Sequence, residues 1–186
     1  MSTDELHEMR HSLAHIMAQA VQHLWPQAKF GVGPAIDDGF YYDIDLGGAT
    51  ISEDDFPKIE KEMKKIIAAN YPFERRDVPI EDAIAWAENN HQVFKLELLN
   101  DLKRSGTTVA KELVGEDLGS VTDRDSKLKT VSLYSQGDYT DLCRGGHADS
   151  TGKVGAFKLM RVAGAYWRGD EKRQQMQNLA DRKSVV

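Results

Sequence analysis

The chain has 186 residues, of which 40% are hydrophobic and 29% charged, and its formal net charge is −6 at pH 7. This is an ordinary globular composition, long enough to bury a core and without the run of roughly 20 apolar residues that a membrane span needs. The single cysteine excludes an internal disulfide and predicts a reducing, cytoplasmic setting.

The chain is predicted to begin with a long helix. Ser2 precedes Glu5 by three residues, which is the capping-box pattern of a helix start. Apolar residues then recur at helical spacing until Pro26, which ends the predicted helix.

A hairpin and a second helix are predicted next. Residues 30–34 and 40–44 are rich in aromatic and β-branched residues, which predicts two strands, and the Asp-Asp-Gly sequence at 37–39 predicts the turn between them. Ser52 is followed by three acidic residues, a pattern that favours a helix start.

The second half of the chain is predicted to place helices among short strands. One or two helices are expected over 80–102, and a loop or insertion over 105–125, which is rich in Gly, Ser, Thr and Asp. The final stretch, 170–186, is polar and compatible with a helix. Strand-like segments lie at 73–78, 130–134, 139–142 and 156–167. Because the strands come in neighbouring pairs, we expect an α+β fold in which helices cover an antiparallel or mixed sheet.

Two histidines lie one helical turn apart in the first predicted helix. His11 and His15 are residues i and i+4 of the segment HSLAH and therefore share a helix face. Two imidazoles in this arrangement can converge on one metal ion or one water molecule. The same spacing also arises by chance among residues of a helix surface, which is how we interpret His7 and His23.

A second group of reactive residues follows the last predicted hairpin. Cys143 and His147 are separated by Arg-Gly-Gly, and the glycines allow a tight turn that directs both side chains into one pocket. Asp141 places a carboxylate nearby. A buried free cysteine beside a surface histidine would give the same pattern.

Together the two segments supply three imidazoles and one thiol. This is a permitted tetrahedral zinc ligand set. The same groups can orient and deprotonate water near neutral pH, or form a Cys–His nucleophilic pair. The residue types alone leave these interpretations open.

At the level of whole motifs, the chain resembles the editing domain of bacterial threonyl-tRNA synthetases, with a looser similarity to alanyl-tRNA synthetase editing domains. The resemblance runs from about Leu6 to Gln177. It is carried by the segments HSLAH, FGVGPAIDDGFYYDID, YTDLCRGGH and FKLMRVAGAYWRGDEKRQQMQ. It implies an editing-domain-like α+β fold and hydrolysis of the ester of seryl-tRNA formed on threonine tRNA.

The resemblance also implies roles for individual residues. The catalytic positions would be His11, His15, Lys95, Asp141, Cys143 and His147. The substrate-binding positions would be Gly33, Pro34, Asp37, Gly39 and Tyr42. Gly146 stands where the family pattern has proline, which predicts a looser turn before His147.

The same resemblance bears on metal and domain organisation. The threonyl branch is expected to require no metal, whereas the alanyl branch would hold Zn²⁺ with His11, His15, Cys143 and His147. Residues 1–169 are expected to form the editing domain, and 170–186 a helical tail or the start of a linker to a class II catalytic core. Since no ATP-binding motifs of such a core are present, we expect this chain alone not to aminoacylate.

The expected partners are the 3′ end of a serine-charged tRNA and, if the chain is a fragment, the rest of a synthetase, with no membrane. Acidic residues predominate up to Cys143 and basic residues after it, and the basic part could contact phosphates or simply be solvated. Alternative interpretations are a free-standing zinc-dependent alanyl-type deacylase, a non-catalytic zinc or tRNA-binding module and, more remotely, a cysteine peptidase.

Overall fold

The structure, a computed structural model, describes residues 2–105 and 129–181. Within these ranges the chain forms four α-helices and two antiparallel sheets, which confirms the α+β prediction. Two units can be distinguished. The first comprises residues up to 73, the turn 136–139 and the residues from 146 onward, and the second comprises 74–135 and 140–145. The loop predicted at 105–125 lies outside the described residues apart from Ser105, the last residue of a helix.

Helix α1, Thr3–Leu24, is the central element of the first unit. It begins as predicted: Ser2 Oγ accepts the backbone N–H of Glu5, and the Glu5 carboxylate accepts the N–H of Ser2. Residues 11–20 are buried without interruption, so the middle of the helix is covered on every side. Side chains at these positions are therefore held firmly by packing.

A five-stranded sheet packs against this helix. Its strands are β1 Lys29–Phe30, β2 Ala35–Ile36, β3 Gly39–Asp45, β7 Arg161–Tyr166 and β8 Gln175–Asp181. They lie in the order β1-β3-β8-β7, and β2 pairs with the N-terminal end of β3. All of the pairings are antiparallel.

Helix α2, Phe56–Ala69, closes the core of the first unit against α1. A short 3-10 turn, Glu53–Asp55, precedes it, close to the predicted helix start at Ser52, whose backbone N–H and hydroxyl both donate to Asp55 Oδ2. The helix buries Phe56, Ile59 and Met63 in the same apolar cluster as the buried face of α1 and the inner residues of β3. The site-bearing helix is thus fixed by packing on both sides.

The strand predicted at 30–34 is interrupted after Phe30. The chain from 31 to 34 still follows β3 through three separate hydrogen bonds, among them Gly31 N–H to Asp43 O at 2.8 Å. The segment leaves regular pairing because Pro34 has no N–H to donate and Gly33 lies against the ring of Tyr42.

The strand predicted over 156–167 is shorter than expected, since regular pairing covers only β7. Before it, the backbone is directed by side chains. Asp181 accepts the N–H of Lys158 at 2.9 Å, and Glu60 accepts the N–H of Leu159 at 3.0 Å. These carboxylates take backbone hydrogen bonds that a neighbouring strand would otherwise supply.

The helical tail predicted over 170–186 is wrong for residues 175–181, which form strand β8. Met176 and Leu179 enter the core, while the backbone of β8 pairs with β3 on one side and β7 on the other. Pairing on both sides outweighs the weak helical preference of a polar sequence. Residues 182–186 lie outside the described part of the chain, and a domain boundary after 169 stays a prediction.

The second unit combines a three-stranded sheet with a helical pair. Its elements are β4 Glu74–Pro79, α3 Ile80–Asn89, α4 Val93–Ser105, β5 Thr130–Gln136 and β6 Tyr139–Leu142. The sheet order is β4-β5-β6, and α3 and α4 lie between β4 and β5 in the chain. The helices predicted over 80–102 are confirmed as a pair that is broken near His91, whose φ of 54° is left-handed. No helix in the described ranges is long and apolar enough to cross a membrane.

A polar clamp joins three elements of the first unit at the C-terminal end of α1. We call His23, Glu62 and Asp138 the His23 clamp. His23 Nδ1 lies 3.0 Å from a carboxylate oxygen of Glu62 on α2, and Nε2 lies 3.0 Å from one of Asp138 in the β5–β6 turn. Burial lowers the pKa of His23, but the hydrogen bonds to Asp138 and Glu62 outweigh it, so the pKa is raised overall. Both ring nitrogens can donate only when the ring is protonated.

We expect the His23 clamp to stabilise the fold most in mildly acidic solution. A raised folded pKa gives stability that is complete below the unfolded value near 6.5 and is lost as pH rises through the folded value. The carboxylates of Glu62 and Asp138 have lowered pKa values, so their contribution is lost only when pH falls below about 4. His23→Ala should lower the free energy of unfolding, measured by urea denaturation, more at about pH 5.5 than at about pH 8. The difference should be a few tenths of a kcal/mol, because partly exposed pairs are weak.

The control for this experiment is His7→Ala, which removes an imidazole from an earlier turn of the same helix. His7 makes no carboxylate contact within the described ranges. An equal effect of His23→Ala at both pH values would show that the clamp does not depend on protonation.

Candidate active site

Helix α1 presents His11 and His15 from consecutive turns, as their spacing predicted. Each is only 2% exposed. Their ring centroids are 5.1 Å apart and the rings meet edge to face. The pair is therefore held within the protein and is not a chance feature of the helix surface.

His147 joins this pair from the loop that follows the second hairpin. Its ring stacks on His11 at 4.2 Å between centroids and lies 4.3 Å from the ring of His15. Phe73 stacks on His147 at 4.6 Å with an interplanar angle of 1°. We call His11, His15 and His147 the histidine cluster. One ring nitrogen from each lies within 4.8 Å of one from each of the others.

The surroundings of His147 favour the neutral form of its imidazole. The pKa of His147 lies well below its ordinary value, first because burial disfavours the charged ring and then because His15 and His11 would repel a positive charge. At neutral pH His147 is thus uncharged, and it can donate from one nitrogen and accept at the other.

A serine that the sequence analysis did not single out supports His147. Ser12 is fully buried, and its Oγ lies 3.2 Å from Nδ1 of His147. The same oxygen accepts the backbone N–H of Ala148 at 2.9 Å. Its position inside HSLAH was the available signal, but its partners lie more than 130 residues later in the chain.

In the second unit, Lys95 of α4 and Asp141 of β6 form a buried ion pair. Lys95 Nζ lies 2.7 Å from Asp141 Oδ1, and each side chain is about 3% exposed. Asp141 Oδ1 also accepts the backbone N–H of Leu142 at 2.8 Å. The structure thus brings together two residues predicted from distant parts of the sequence, while their catalytic roles stay predictions.

Cys143 is buried in the second unit at the end of β6. Its backbone is fixed from both sides, because its N–H donates to Ser132 O at 3.2 Å and Ser132 Oγ donates to its carbonyl at 2.6 Å. The N–H of Gly145 points at Sγ at 3.3 Å, an arrangement that suits a sulfur with partial negative charge. The role of Cys143 beside the histidines stays a prediction from the sequence.

Both glycines before His147 adopt backbone conformations that favour glycine. Gly145 has φ of 118° and Gly146 has φ of 78°. A Cβ on Gly145 would overlap the hydroxyl of Tyr134, whereas one on Gly146 would meet no atom within 4 Å. Proline, expected at 146 from the family pattern, cannot adopt this φ. The turn before His147 therefore has a backbone conformation that the proline of the family pattern would not allow.

The predicted substrate-binding residues cluster on the β2–β3 hairpin of the first unit. Tyr42 is 1% exposed and packs edge to face on Phe30. A Cβ at Gly33 would overlap the Tyr42 ring, so this close approach requires glycine. Arg10 of α1 donates to the carbonyl of Asp37 at 2.6 Å and ties the hairpin to the helix. The remaining predicted positions, Pro34 and Gly39, lie beside these residues, and substrate contact stays a prediction for all five.

The donor set of the histidine cluster fits a zinc ion in chemistry. Three imidazole nitrogens are a permitted part of a zinc site, and a thiolate is a permitted fourth ligand. The spacing within 4.8 Å is close to what one ion requires. The same three imidazoles are equally suited to hold a water molecule, so the cluster supports either use.

Comparisons with known proteins show that the chain is similar to part of the threonine–tRNA ligases. Residues 131–178 match the family model described as the threonyl and alanyl tRNA synthetase second additional domain. The chain is 46% identical to a threonine–tRNA ligase of Acetivibrio thermocellus over 91% of its length, and 46% identical to one of Dehalococcoides mccartyi over 94%. It is 44% identical to threonine–tRNA ligase 1 of Bacillus subtilis over 96%. These alignments cover 23%, 25% and 24% of the three relatives, so the chain spans about a quarter of their length.

Proposed function

We propose that the chain is the editing part of a threonyl-tRNA synthetase, because residues 131–178 match the second additional domain of the threonyl and alanyl tRNA synthetases and the whole chain is similar to threonine–tRNA ligases. Its reaction would be hydrolysis of the ester that joins serine to threonine tRNA. The observation that carries this proposal is the convergence of three imidazoles, those of the buried His11 and His15 and that of His147, in the histidine cluster.

The need for such a reaction follows from the limits of binding specificity. Serine lacks one methyl group of threonine, and a difference of that size in a pocket discriminates by only about 1–3 kcal/mol. A synthetase therefore attaches serine to threonine tRNA at some frequency. A second site that admits serine and clashes with the additional methyl of threonine removes the error without destroying the correct product.

The histidine cluster supplies what ester hydrolysis requires. A placed water, a proton acceptor and donors for the developing oxyanion are sufficient, since the aminoacyl ester is already activated. His11 and His147 would orient the attacking water, with His15 completing the cluster. The ribose hydroxyl beside the ester would share the proton transfer.

The remaining predicted residues would hold the substrate. Lys95 would contact the ester or the terminal ribose, and Asp141 would orient Lys95 or bind the amino group of serine. Their 2.7 Å ion pair supports the orienting role for Asp141. Gly33, Tyr42 and their hairpin would form the wall beside the amino acid.

Zinc is the principal chemical alternative. His11, His15 and His147, with Cys143, would hold the ion, which would polarise the ester carbonyl and lower the pKa of a bound water. The donor set of the histidine cluster supports a second candidate function, that of a zinc-dependent alanyl-type deacylase. We propose that the metal is not obligatory, as the resemblance to the threonyl branch implies.

The decisive experiment is deacylation of seryl-tRNA and threonyl-tRNA, both on threonine tRNA, with and without a chelator. We expect selective hydrolysis of the seryl ester that chelation leaves unchanged. Loss of activity with the chelator would establish the zinc reading, and misacylated alanine tRNA would then identify the alanyl type. Equal hydrolysis of both esters would contradict an editing role.

A non-catalytic zinc or tRNA-binding module makes a different prediction. Chelation would unfold such a chain, because the metal would supply the folding free energy. The large apolar cluster around α1 and α2 supports folding without metal.

The proposed partner is the 3′ end of tRNA, together with the remainder of a synthetase where the chain is part of one. The proposed compartment is a reducing cytoplasm.

A further inference from the structure

The bonding of Ser12 determines which nitrogen of His147 carries the hydrogen. A serine hydroxyl has one hydrogen to donate and two lone pairs with which to accept. The N–H of Ala148 occupies one lone pair at 2.9 Å. In the described ranges, His147 Nδ1, at 3.2 Å, is the one acceptor within hydrogen-bond distance of this hydroxyl.

Burial makes the direction of this hydrogen bond definite. Ser12 is 0% exposed, so its hydroxyl hydrogen has no access to bulk water. A buried hydroxyl that fails to donate loses about 1–3 kcal/mol. The hydroxyl therefore donates to Nδ1, and Nδ1 of His147 carries no hydrogen of its own.

A neutral imidazole carries one hydrogen in total. A ring whose Nδ1 accepts a hydrogen bond cannot be the doubly protonated cation, so the imidazole of His147 is neutral. With Nδ1 acting as the acceptor, the hydrogen resides on Nε2. The stacking of the ring between His11 and Phe73 fixes the plane in which Nε2–H points.

We infer that Ser12 is a positioning residue that holds His147 as the Nε2–H tautomer, so that His147 acts as a hydrogen-bond donor and not as the proton acceptor. The catalytic part of this inference rests on the proposed deacylase function, whereas the tautomer does not. Nε2–H would donate to the ester carbonyl oxygen as negative charge develops there. His147 would then stabilise the oxyanion, and the orientation of the attacking water would fall to His11 alone.

This assignment gives His147 and His11 different roles in the reaction. Water attacks the ester carbon, and its proton passes to a different acceptor, for which His11 is the imidazole stacked on His147. The bond to the ribose oxygen breaks, and that oxygen takes up the proton as it leaves. His147 retains its hydrogen throughout and stabilises the oxyanion.

The tautomer can be measured directly by nitrogen-15 NMR of the full chain labelled at histidine, kept metal-free with a chelator. His147→Gln identifies the signals of His147 among the six histidines. We expect a pyridine-type Nδ1 and a pyrrole-type Nε2. Ser12→Ala should mix the two tautomers and move both signals toward each other, whereas Ser12→Thr, which keeps the hydroxyl, should preserve the wild-type pattern.

The matched control is Ser150→Ala. Ser150 lies three residues after His147, and its hydroxyl donates to the side chain of Asn70. It should leave the His147 signals and deacylation unchanged. Ser12→Ala should slow deacylation by roughly threefold to tenfold, the worth of one neutral hydrogen bond.

Two results would overturn the inference. One is a hydrogen on Nδ1 in the wild-type protein, which needs no variant to fold. The other is an unchanged tautomer in Ser12→Ala. A wild-type chain with the expected tautomer but no deacylation would instead contradict the proposed function alone.

Discussion

Replacement of Asp141 with alanine is expected to lower the free energy of unfolding by about 3–5 kcal/mol, because it leaves the ammonium of Lys95 buried without its carboxylate. Both side chains are about 3% exposed and their charged atoms are 2.7 Å apart. Chemical denaturation of the purified chain at neutral pH measures the effect. The control is Lys103→Ala, on the same helix as Lys95, which breaks a 2.8 Å pair with Glu81 of α3. The side chains of that pair are 49% and 61% exposed. That change should cost less than about 1 kcal/mol.

The double variant Lys95→Met, Asp141→Leu separates stability from catalysis. Replacing both charges with apolar groups of similar size removes the unpaired charge, so most of the lost stability should return. Deacylation should not return, because the proposed contact with the substrate is absent. Restored activity in this variant would mean that the ion pair is structural only.

Replacement of His11 with alanine is expected to slow deacylation by about 100- to 10,000-fold, the usual contribution of a positioned acid–base group. His11 contacts both other rings of the histidine cluster, so its loss also removes the packing that aligns His147. Single-turnover hydrolysis of seryl-tRNA measures the effect. His7→Ala, one turn earlier on the same helix, is the matched control and should retain activity.

Cys143→Ala tests, in the same assay, the loop that supplies Cys143 and His147 to the predicted site. We expect a large loss of rate there as well. An unchanged rate in His11→Ala, in protein that unfolds as cooperatively as the wild type, would remove the histidine cluster from the mechanism.

Local signals predicted much of the fold. The capping box at Ser2 and the apolar repeat that follows it correctly predicted α1, because both are determined within a few residues. The tail was wrong for a different reason. Residues 175–181 have no strong preference of their own, and they become a strand because β3 and β7 each offer them an unpaired edge. Pairing between residues far apart in the chain cannot be read from a local pattern.

The candidate site was likewise predicted only in part from local sequence signals. His11 and His15 are visible in the sequence because i and i+4 share a helix face. Lys95 was identified only through resemblance to a known family, because 45 residues separate it from Asp141 and no periodicity connects the two. Ser12 was missed because its importance depends on His147 and Ala148, which reach it only in the folded chain.

The place of β8 in the sheet has a consequence for synthesis of the protein. Strand β8 is made after β1, β2, β3 and β7, yet it lies between β3 and β7 in the five-stranded sheet. While the ribosome is still producing residues up to 174, one edge of β3 is open and β7 lacks the strand that joins it to the sheet. The sheet therefore closes only once residues 175–181 have left the exit tunnel, and chaperones that shield strand edges would have their substrate in that interval.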